Sequence, residues 1–366
     1  MNIAWFIIFL VIFIFGQSYL YAKKGLKKLT YRRHFDKETV FVGQDVILID
    51  QIINQKLLPI PWVRLESKMD QSIQVNGKVQ FDHTDSGVYR TLLSLLPYQK
   101  LTRRHHFTVT KRGVFELDTI NLTIGDMFGF DEIFSSFETD AKIIVYPTLL
   151  DHDQLTLPAQ NFLGEQSVKR WINEDPFLTV GTRDYEAGDS IAQINWKATA
   201  RTKNIQVKVN DYTADREPVI VINGDQSDDI WFPIVDQQLF EQSISQAATV
   251  AHFLEGNGES YSLATNIVDA RDRHVNHRPF INIEAGNGSP HFYHILTQLA
   301  YLVPERSRHF KYLLDEIIDQ KKNRCDILLI TPIMTSELLV KIEQLRKAGH
   351  TVTIDHIIAG QEREVV

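Results

Sequence analysis

Side chains able to do chemistry concentrate in one stretch of the chain, FLTVGTRDYEAGDSIAQINWKATARTKNIQVKVND, residues 177–211. Arg183, Asp184, Tyr185 and Glu186 precede a turn at Ala187-Gly188-Asp189. Ile194, Asn195, Trp196 and Lys197 then run into Ala198-Thr199-Ala200-Arg201. Ile205, Val207 and Val209 alternate with Gln206, Lys208 and Asn210, which is the period of a strand. A short helix or turn over 191–200 would bury Ile194 and Trp196 and present Lys197, Thr199 and Arg201. Two chemistries fit. Arg, Lys and Asp around a buried Trp can grip an anion or a partner's carboxylate through charge-assisted hydrogen bonds. The same set can pair internally and pin a loop to the next domain, the commoner fate of charged loop clusters.

Other candidates lack the partners their chemistry needs. The single cysteine, Cys325, opens an apolar run and reads as a buried small hydrophobe; it makes no intrachain disulfide and no thiolate zinc site alone. His291 and His294 stand three apart on an expected helix with no third ligand. Asp82, His83 and Asp85, and the pair His105 and His106, lack metal-ligand spacing and read as a solvated loop and a strand's polar face. The chain has no glycine-rich phosphate loop, nucleophile elbow or zinc-protease helix.

The elements that must position these residues follow from periodicity. Residues 1–22 carry no charged side chain and as a helix would reach roughly 33 Å, enough for a hydrocarbon core of roughly 30 Å. Lys23, Lys24, Lys27, Lys28, Arg32 and Arg33 follow at once, so the positive-inside rule puts the N-terminus outside and the body in the cytoplasm. A cleaved signal would need a basic stretch before the apolar run and a small-residue cleavage site after it, and neither is present. The formal net charge of −7 is thus an average: residues 1–35 hold six basic and no acidic residues, leaving the rest at −13, which disfavours nucleic-acid binding. Between 36 and 150, short alternating runs punctuated by Gly43, Pro59, Pro61, Gly113 and Gly125-Asp126 predict an antiparallel, immunoglobulin-like β-sandwich. Residues 151–215 connect it to 216–366. There, strands at 218–223, 261–268, 326–331 and 351–358 alternate with helices near 233–255, 291–302, 306–319 and 336–347 and predict a doubly wound parallel sheet.

Within 177–211, Gly181, Arg183, Tyr185, Gly188 and Asp189, then Ile194, Asn195, Trp196, Lys197, Ala198, Ala200 and Arg201, then Val207 and Lys208 resemble the signature of the bacterial family named domain of unknown function 58. Ala187 stands where the family usually has proline, and Ala192 where it usually has arginine. Lys111-Arg112-Gly113-Val114-Phe115-Glu116-Leu117 and Gly125-Asp126-Met127-Phe128-Gly129-Phe130 are similar to two further family patterns, so the likeness covers nearly the whole chain. The resemblance implies a membrane anchor, a β-rich region and a C-terminal von Willebrand factor A-like domain. It also implies a partner of the MoxR-type AAA+ ATPase class in assembly or chaperone-like work. Domains of the A type commonly hold Mg²⁺ in an Asp-x-Ser-x-Ser loop; here that loop reads Asn223-Gly224-Asp225-Gln226-Ser227, which has lost the first carboxylate, and no cofactor is expected. The expectation is a membrane-anchored interaction protein, not an enzyme. The alternatives are a cell-envelope enzyme or anion-binding protein using the signature cluster, and a structural membrane scaffold.

Overall fold

The computed structural model describes residues 3–68, 73–75, 88–129, 131–171, 179–186, 189–210, 216–227, 234–275, 278–319 and 324–358. Asp82, His83, Asp85 and Gly188 lie outside the described residues. Two compact units divide the chain, one of residues 1–148 with 299–301 and one of 149–298 with 302–366.

The first unit starts with helix α1 (Ile3–Lys24), followed by strands β1 (Leu29–Phe35), β2 (Thr39–Phe41), β3 (Asp45–Asn54), β4 (Ile60–Lys68), β5 (Ile73–Val75), β6 (Val88–Leu95), β7 (Lys100–Val109), β8 (Gly113–Gly125) and β9 (Glu132–Tyr146). They form two sheets, β1-β3-β7-β5 and β2-β9-β8-β4-β6, packed as a sandwich. The expected antiparallel pairing holds throughout except at one edge, where β2 runs parallel to β9 because the chain crosses from one sheet to the other between β1 and β2. The segment 29–35, expected to be part of a basic juxtamembrane stretch, is strand β1, paired along its length with β3.

That pairing has a charged centre. Period-two alternation sends Val46, Leu48, Asp50, Ile52 and Asn54 of β3 inward, and Leu29, Tyr31, Arg33 and Phe35 of β1 likewise. Arg33 and Asp50 face each other in register. Arg33 Nε and Nη2 donate to the Asp50 oxygens at 2.7 and 3.1 Å, and Arg33 Nη1 donates to Ser67 Oγ of the opposite sheet at 2.8 Å. Tyr31 Oη donates to Asp50 at 2.6 Å, and His105 Nε2 stands 3.4 Å from it. His105 in turn meets Tyr89 Oη at 2.9 Å. This polar layer separates two apolar clusters, one containing Phe35, Val46, Leu48 and Phe107, the other Leu29, Ile52, Ile60 and Leu122. Burial alone would raise the Asp50 pKa, but hydrogen bonds from His105 and Arg33 hold it well below the usual carboxylate range. Burial pushes the Tyr89 phenol up to about 12.

The second unit contains α2 (Leu157–Trp171), β10 (Thr179–Asp184), α3 (Trp196–Thr202), β11 (Gln206–Asn210), β12 (Glu217–Ile222), α4 (Gln237–Gly256), β13 (Tyr261–Thr265), β14 (Ile267–Asp269), β15 (Ile281–Gly286), α5 (Gly288–Tyr301), β16 (Leu302–Arg306), α6 (Phe310–Asp319), β17 (Cys325–Thr331), α7 (Ser336–Lys347) and β18 (Thr351–His356). The order β15-β13-β12-β17-β18 is parallel apart from edge strand β15, which periodicity did not predict. Nor did it predict α2. Thr156, just before α2, donates to Asp355 of β18 at 2.7 Å, and Gln246 of α4 donates to the other Asp355 oxygen at 3.0 Å. Burial raises the pKa of this fully buried acid despite those donors.

Removing one partner of the Arg33–Asp50 pair strands the other in the core. Asp50→Asn is expected to cost about 3–5 kcal/mol in chemical unfolding of the full-length protein in detergent. Because the folded Asp50 pKa is depressed, its contribution is complete above the unfolded carboxylate value of ~3.9 and is lost as pH falls below it. Acid titration of Asp50→Asn should therefore show a shallower stability loss below about pH 4 than wild type; equal slopes would contradict this account.

Candidate functional site

Strand β12 lies at the centre of the parallel sheet, with its successor β13 on one side and β17 on the other. The strand order reverses there, so the loops leaving β12 and β17 part and leave a crevice at their carboxyl ends. A small open cleft lies there, lined by Asn223, Asp225 and Ser227 after β12, His309, Phe310 and Lys311 at the start of α6, and Ile333, Thr335, Glu337 and Leu338 around the start of α7.

Its single buried carboxylate is fully engaged. Asp225 is 3% exposed; Oδ1 accepts from Asn266 Nδ2 at 2.8 Å and Oδ2 from the Phe310 backbone N–H at 3.0 Å, so Asp225 caps α6 across the fold. Arg306 and His309 stand 3.5 and 3.4 Å from its oxygens. Asn223 Oδ1 accepts from the Asp225 N–H at 2.8 Å, and Asn223 Nδ2 donates to Thr331 Oγ1 at 3.0 Å. Asn266, in the break between β13 and β14, also accepts from Gly224 N at 2.8 Å and donates to the Arg308 carbonyl at 3.1 Å. A side chain on Gly224 would put Cβ 2.7 Å from Ile267 Cγ1, so glycine lets this loop close onto β14. At the rim Lys311 Nζ pairs with Glu337 at 2.9 Å, and that bond holds the Glu337 pKa below its usual value. Among the described residues no three His, Cys, Asp or Glu side chains converge as a metal cage would require.

The signature stretch forms a separate feature of this unit, the β10–β11 hairpin with a 3₁₀ turn at Ile191–Gln193 and α3 between its strands. Arg183 donates to both Asp189 oxygens at 2.7 and 2.6 Å, and Glu186 N donates to Asp189 at 2.9 Å. The hydrogen bonds from Arg183 hold the Asp189 pKa down. Asn195 caps α3 by accepting from Ala198 N at 3.1 Å. The Asn195 N–H donates to Gln206 O at 2.7 Å, and Gln206 N to Thr199 Oγ1 at 2.9 Å, which turns the 195/199 face of the helix onto β11. Ile194 is buried as expected. Trp196 is not: the face presented to β11 leaves it 66% exposed, beside exposed Lys197 and Arg201. Tyr185 is 40%, Ile191 73% and Ile205 48% exposed.

The structure thus brings Asn223, Asp225 and Ser227 into the cleft, and Arg183 and Asp189 into one ion pair. Asn266, Arg306, His309 and Lys311 escaped sequence reasoning. The run Arg306-Ser307-Arg308-His309, expected to open a helix near 306–319, instead ends strand β16 and leads into α6.

Fold and cleft define a mixed α/β protein with an apolar N-terminal helix, a β-sandwich and a parallel sheet. The chain belongs to the family described as protein of unknown function DUF58, whose pattern matches residues 181–365. It is 19% identical over 339 residues, 92% of this chain and 78% of the relative, to the uncharacterized protein YeaD of Bacillus subtilis (strain 168). Among solved structures, a type II cohesin domain from the cellulosome of Acetivibrio cellulolyticus is similar at 15% identity over 32% of this chain and 95% of that one, TM-score 0.24. The collagen-binding subdomain of Enterococcus faecalis surface protein ACE is similar at 11% identity over 31% of this chain and 96% of that one, TM-score 0.22.

Replacing Asp225 with Ala removes the cap of α6, frees Asn266 and leaves Arg306 and His309 without their counter-charge. The expected loss is about 3 kcal/mol or more in urea unfolding of the full-length protein. A change within ~0.5 kcal/mol would show that this carboxylate does not organise the cleft.

Proposed function

We propose that this protein is a membrane-anchored, non-enzymatic interaction protein that docks its partner through the signature hairpin. The observation that carries this reading is Trp196. A folded domain gains by burying a large indole, yet this one is two-thirds exposed on a short helix, with Ile191, Tyr185 and Ile205 exposed in the same excursion of the chain. Covering the exposed part of a ~250 Å² side chain is worth on the order of 4 kcal/mol to a partner. Trp, Tyr and Arg are the residue types that dominate binding hot spots. Among the described residues Lys197 and Arg201 have no ion-pair partner, and one helical turn separates them. An acidic surface would complement them.

The family resemblance supplies the class of partner, a MoxR-type AAA+ ATPase, in assembly or chaperone-like work at the membrane. The anion-site alternative is weaker, because Arg183 already has Asp189 as a bidentate partner. In the same reading α1, whose window Trp5–Lys24 is long and apolar enough to span a bilayer, crosses once with the N-terminus outside. The sandwich is read as immunoglobulin-like and the parallel sheet as von Willebrand factor A-like. The Mg²⁺ that such a domain commonly holds does not fit here. The oxygens of Asp225 accept protein N–H donors, its near neighbours are Arg306 and His309, and Asn223 spends its amide on Thr331 and Asp225. The cleft is therefore assigned no Mg²⁺.

Two measurements test this. Trp196→Ala combined with Lys197→Ala and Arg201→Ala should lower co-purification of the ATPase from native membranes by about tenfold or more without shifting the thermal midpoint, since these side chains support no core. Full retention of the ATPase by a folded triple variant would refute the docking role. Addition of millimolar Mg²⁺ should leave the thermal midpoint of the wild-type protein unchanged, whereas a stabilisation abolished by Asp225→Ala would restore the metal reading.

A further inference from the structure

The sandwich holds α1 well before the apolar helix ends. Gln17 and Ser18 are each 8% exposed and Tyr21 is 3% exposed, in a helix whose other residues over 5–20 are almost all open. Gln17 Nε2 donates to Asp126 Oδ2 at 2.8 Å, Gln17 Oε1 accepts from the Met127 N–H at 3.4 Å, and Ser18 Oγ donates to Asp131 at 3.0 Å. Tyr21 Oη donates to the Pro59 carbonyl at 3.0 Å. The clasp is rigid at its base. Asp126 is 1% exposed, and Gly125 lies so close under the Trp62 ring that a Cβ there would stand 1.8 Å from a ring carbon.

This geometry conflicts with a full-length span. A helix that crosses roughly 30 Å of hydrocarbon needs about 20 residues. Using Trp5–Lys24 for that purpose would carry Gln17 and Ser18, and with them Asp126 and Asp131, below the bilayer surface, where charged side chains are strongly disfavoured. The helix free of the sandwich lies on the N-terminal side of Gln17. The two demands meet only if the loop after β8 lies at the membrane boundary. That loop is suited to it: Met127 is 59% and Phe128 52% exposed at the level of Gln17, and Tyr19, 66% exposed, lies half a turn further along the helix. Lys23 and Lys24 are exposed about 9–10 Å beyond, near enough to attract anionic headgroups.

We propose that the loop 126–129 is a second membrane contact, with Met127 and Phe128 seated in the headgroup–acyl boundary of an anionic bilayer beside α1. The Gln17–Asp126 clasp sets the depth at which α1 meets the bilayer surface. The inference rests on α1 being a span, and the test separates the two. Full-length protein with an environment-sensitive fluorophore on Ile8→Cys or Phe128→Cys is reconstituted in phosphatidylcholine–phosphatidylglycerol nanodiscs carrying lipid spin labels at graded depths. Cys325 is 5% exposed, and the wild-type chain serves as the labelling blank. The expected result is deep quenching at position 8 and, at position 128, a blue-shifted emission quenched most by a label roughly 5–10 Å below the surface. Quenching at 8 with a water-like, unquenched signal at 128 would overturn the loop contact and leave the span intact. A blue-shifted signal at 128 that no lipid label quenches would assign the loop to a protein partner and also overturn it. An unquenched position 8 would remove the span and this inference together.

Discussion

The buried Arg33–Asp50 pair is the constraint on which the first unit rests. A guanidinium and a carboxylate removed from water are tolerable only when each is held by several donors or acceptors. Here Arg33, Tyr31 and His105 converge on Asp50, and Ser67 takes the remaining arm of Arg33. Ser67 and Tyr89 belong to one sheet, and Arg33, Asp50 and His105 to the other, so the network fixes the facing of the two sheets as well as the register of β1. A slip of β1 by one residue would place His34 or Arg32 opposite Asp50 and turn Tyr31 and Phe35 outward. Apolar packing alone tolerates such errors at lower cost. Strand β1 begins only five residues after α1 ends, so the same network determines where the apolar helix leaves the sandwich.

Much of this architecture was legible in the sequence, and the failures share a cause. Period-two alternation revealed β3, β4, β7 and β8, and apolar runs revealed β12, β17 and β18. Arg33 was misplaced because six cations after an apolar helix read together as a juxtamembrane topology signal facing water and headgroups. Five of them are exposed or half-exposed, as that reading requires, and the sixth is distinguished only by the partner that β3 presents to it. Trp196 was misplaced for the opposite reason. A large aromatic reads as core by default, and its exposure follows from the Thr199 and Asn195 hydrogen bonds that orient α3. In the cleft, Asn223, Asp225 and Ser227 were visible as a loop with oxygen donors. What occupies those donors comes from Asn266, Arg306 and the start of α6, forty to eighty-five residues away. Local spacing carries no trace of such partners.

The contrast between the cleft and the hairpin gives a physical basis for separating structure from function. At the crevice where a doubly wound sheet ordinarily binds its ligand, each polar group of Asn223 and Asp225 is committed to the protein: Asp225 to a helix end, Asn266 and two basic residues, Asn223 to its neighbours. A ligand would have to displace these contacts and bear the desolvation of a buried carboxylate. On the hairpin the situation is reversed. Arg183 and Asp189 close on each other and stiffen the loop, while Trp196, Lys197 and Arg201 are left to solvent, preorganised on a capped helix. Binding there displaces only water and loses little conformational entropy, because the backbone is already fixed. Internal satisfaction in the cleft and unspent surface on the hairpin are the two observations that support the proposed docking role.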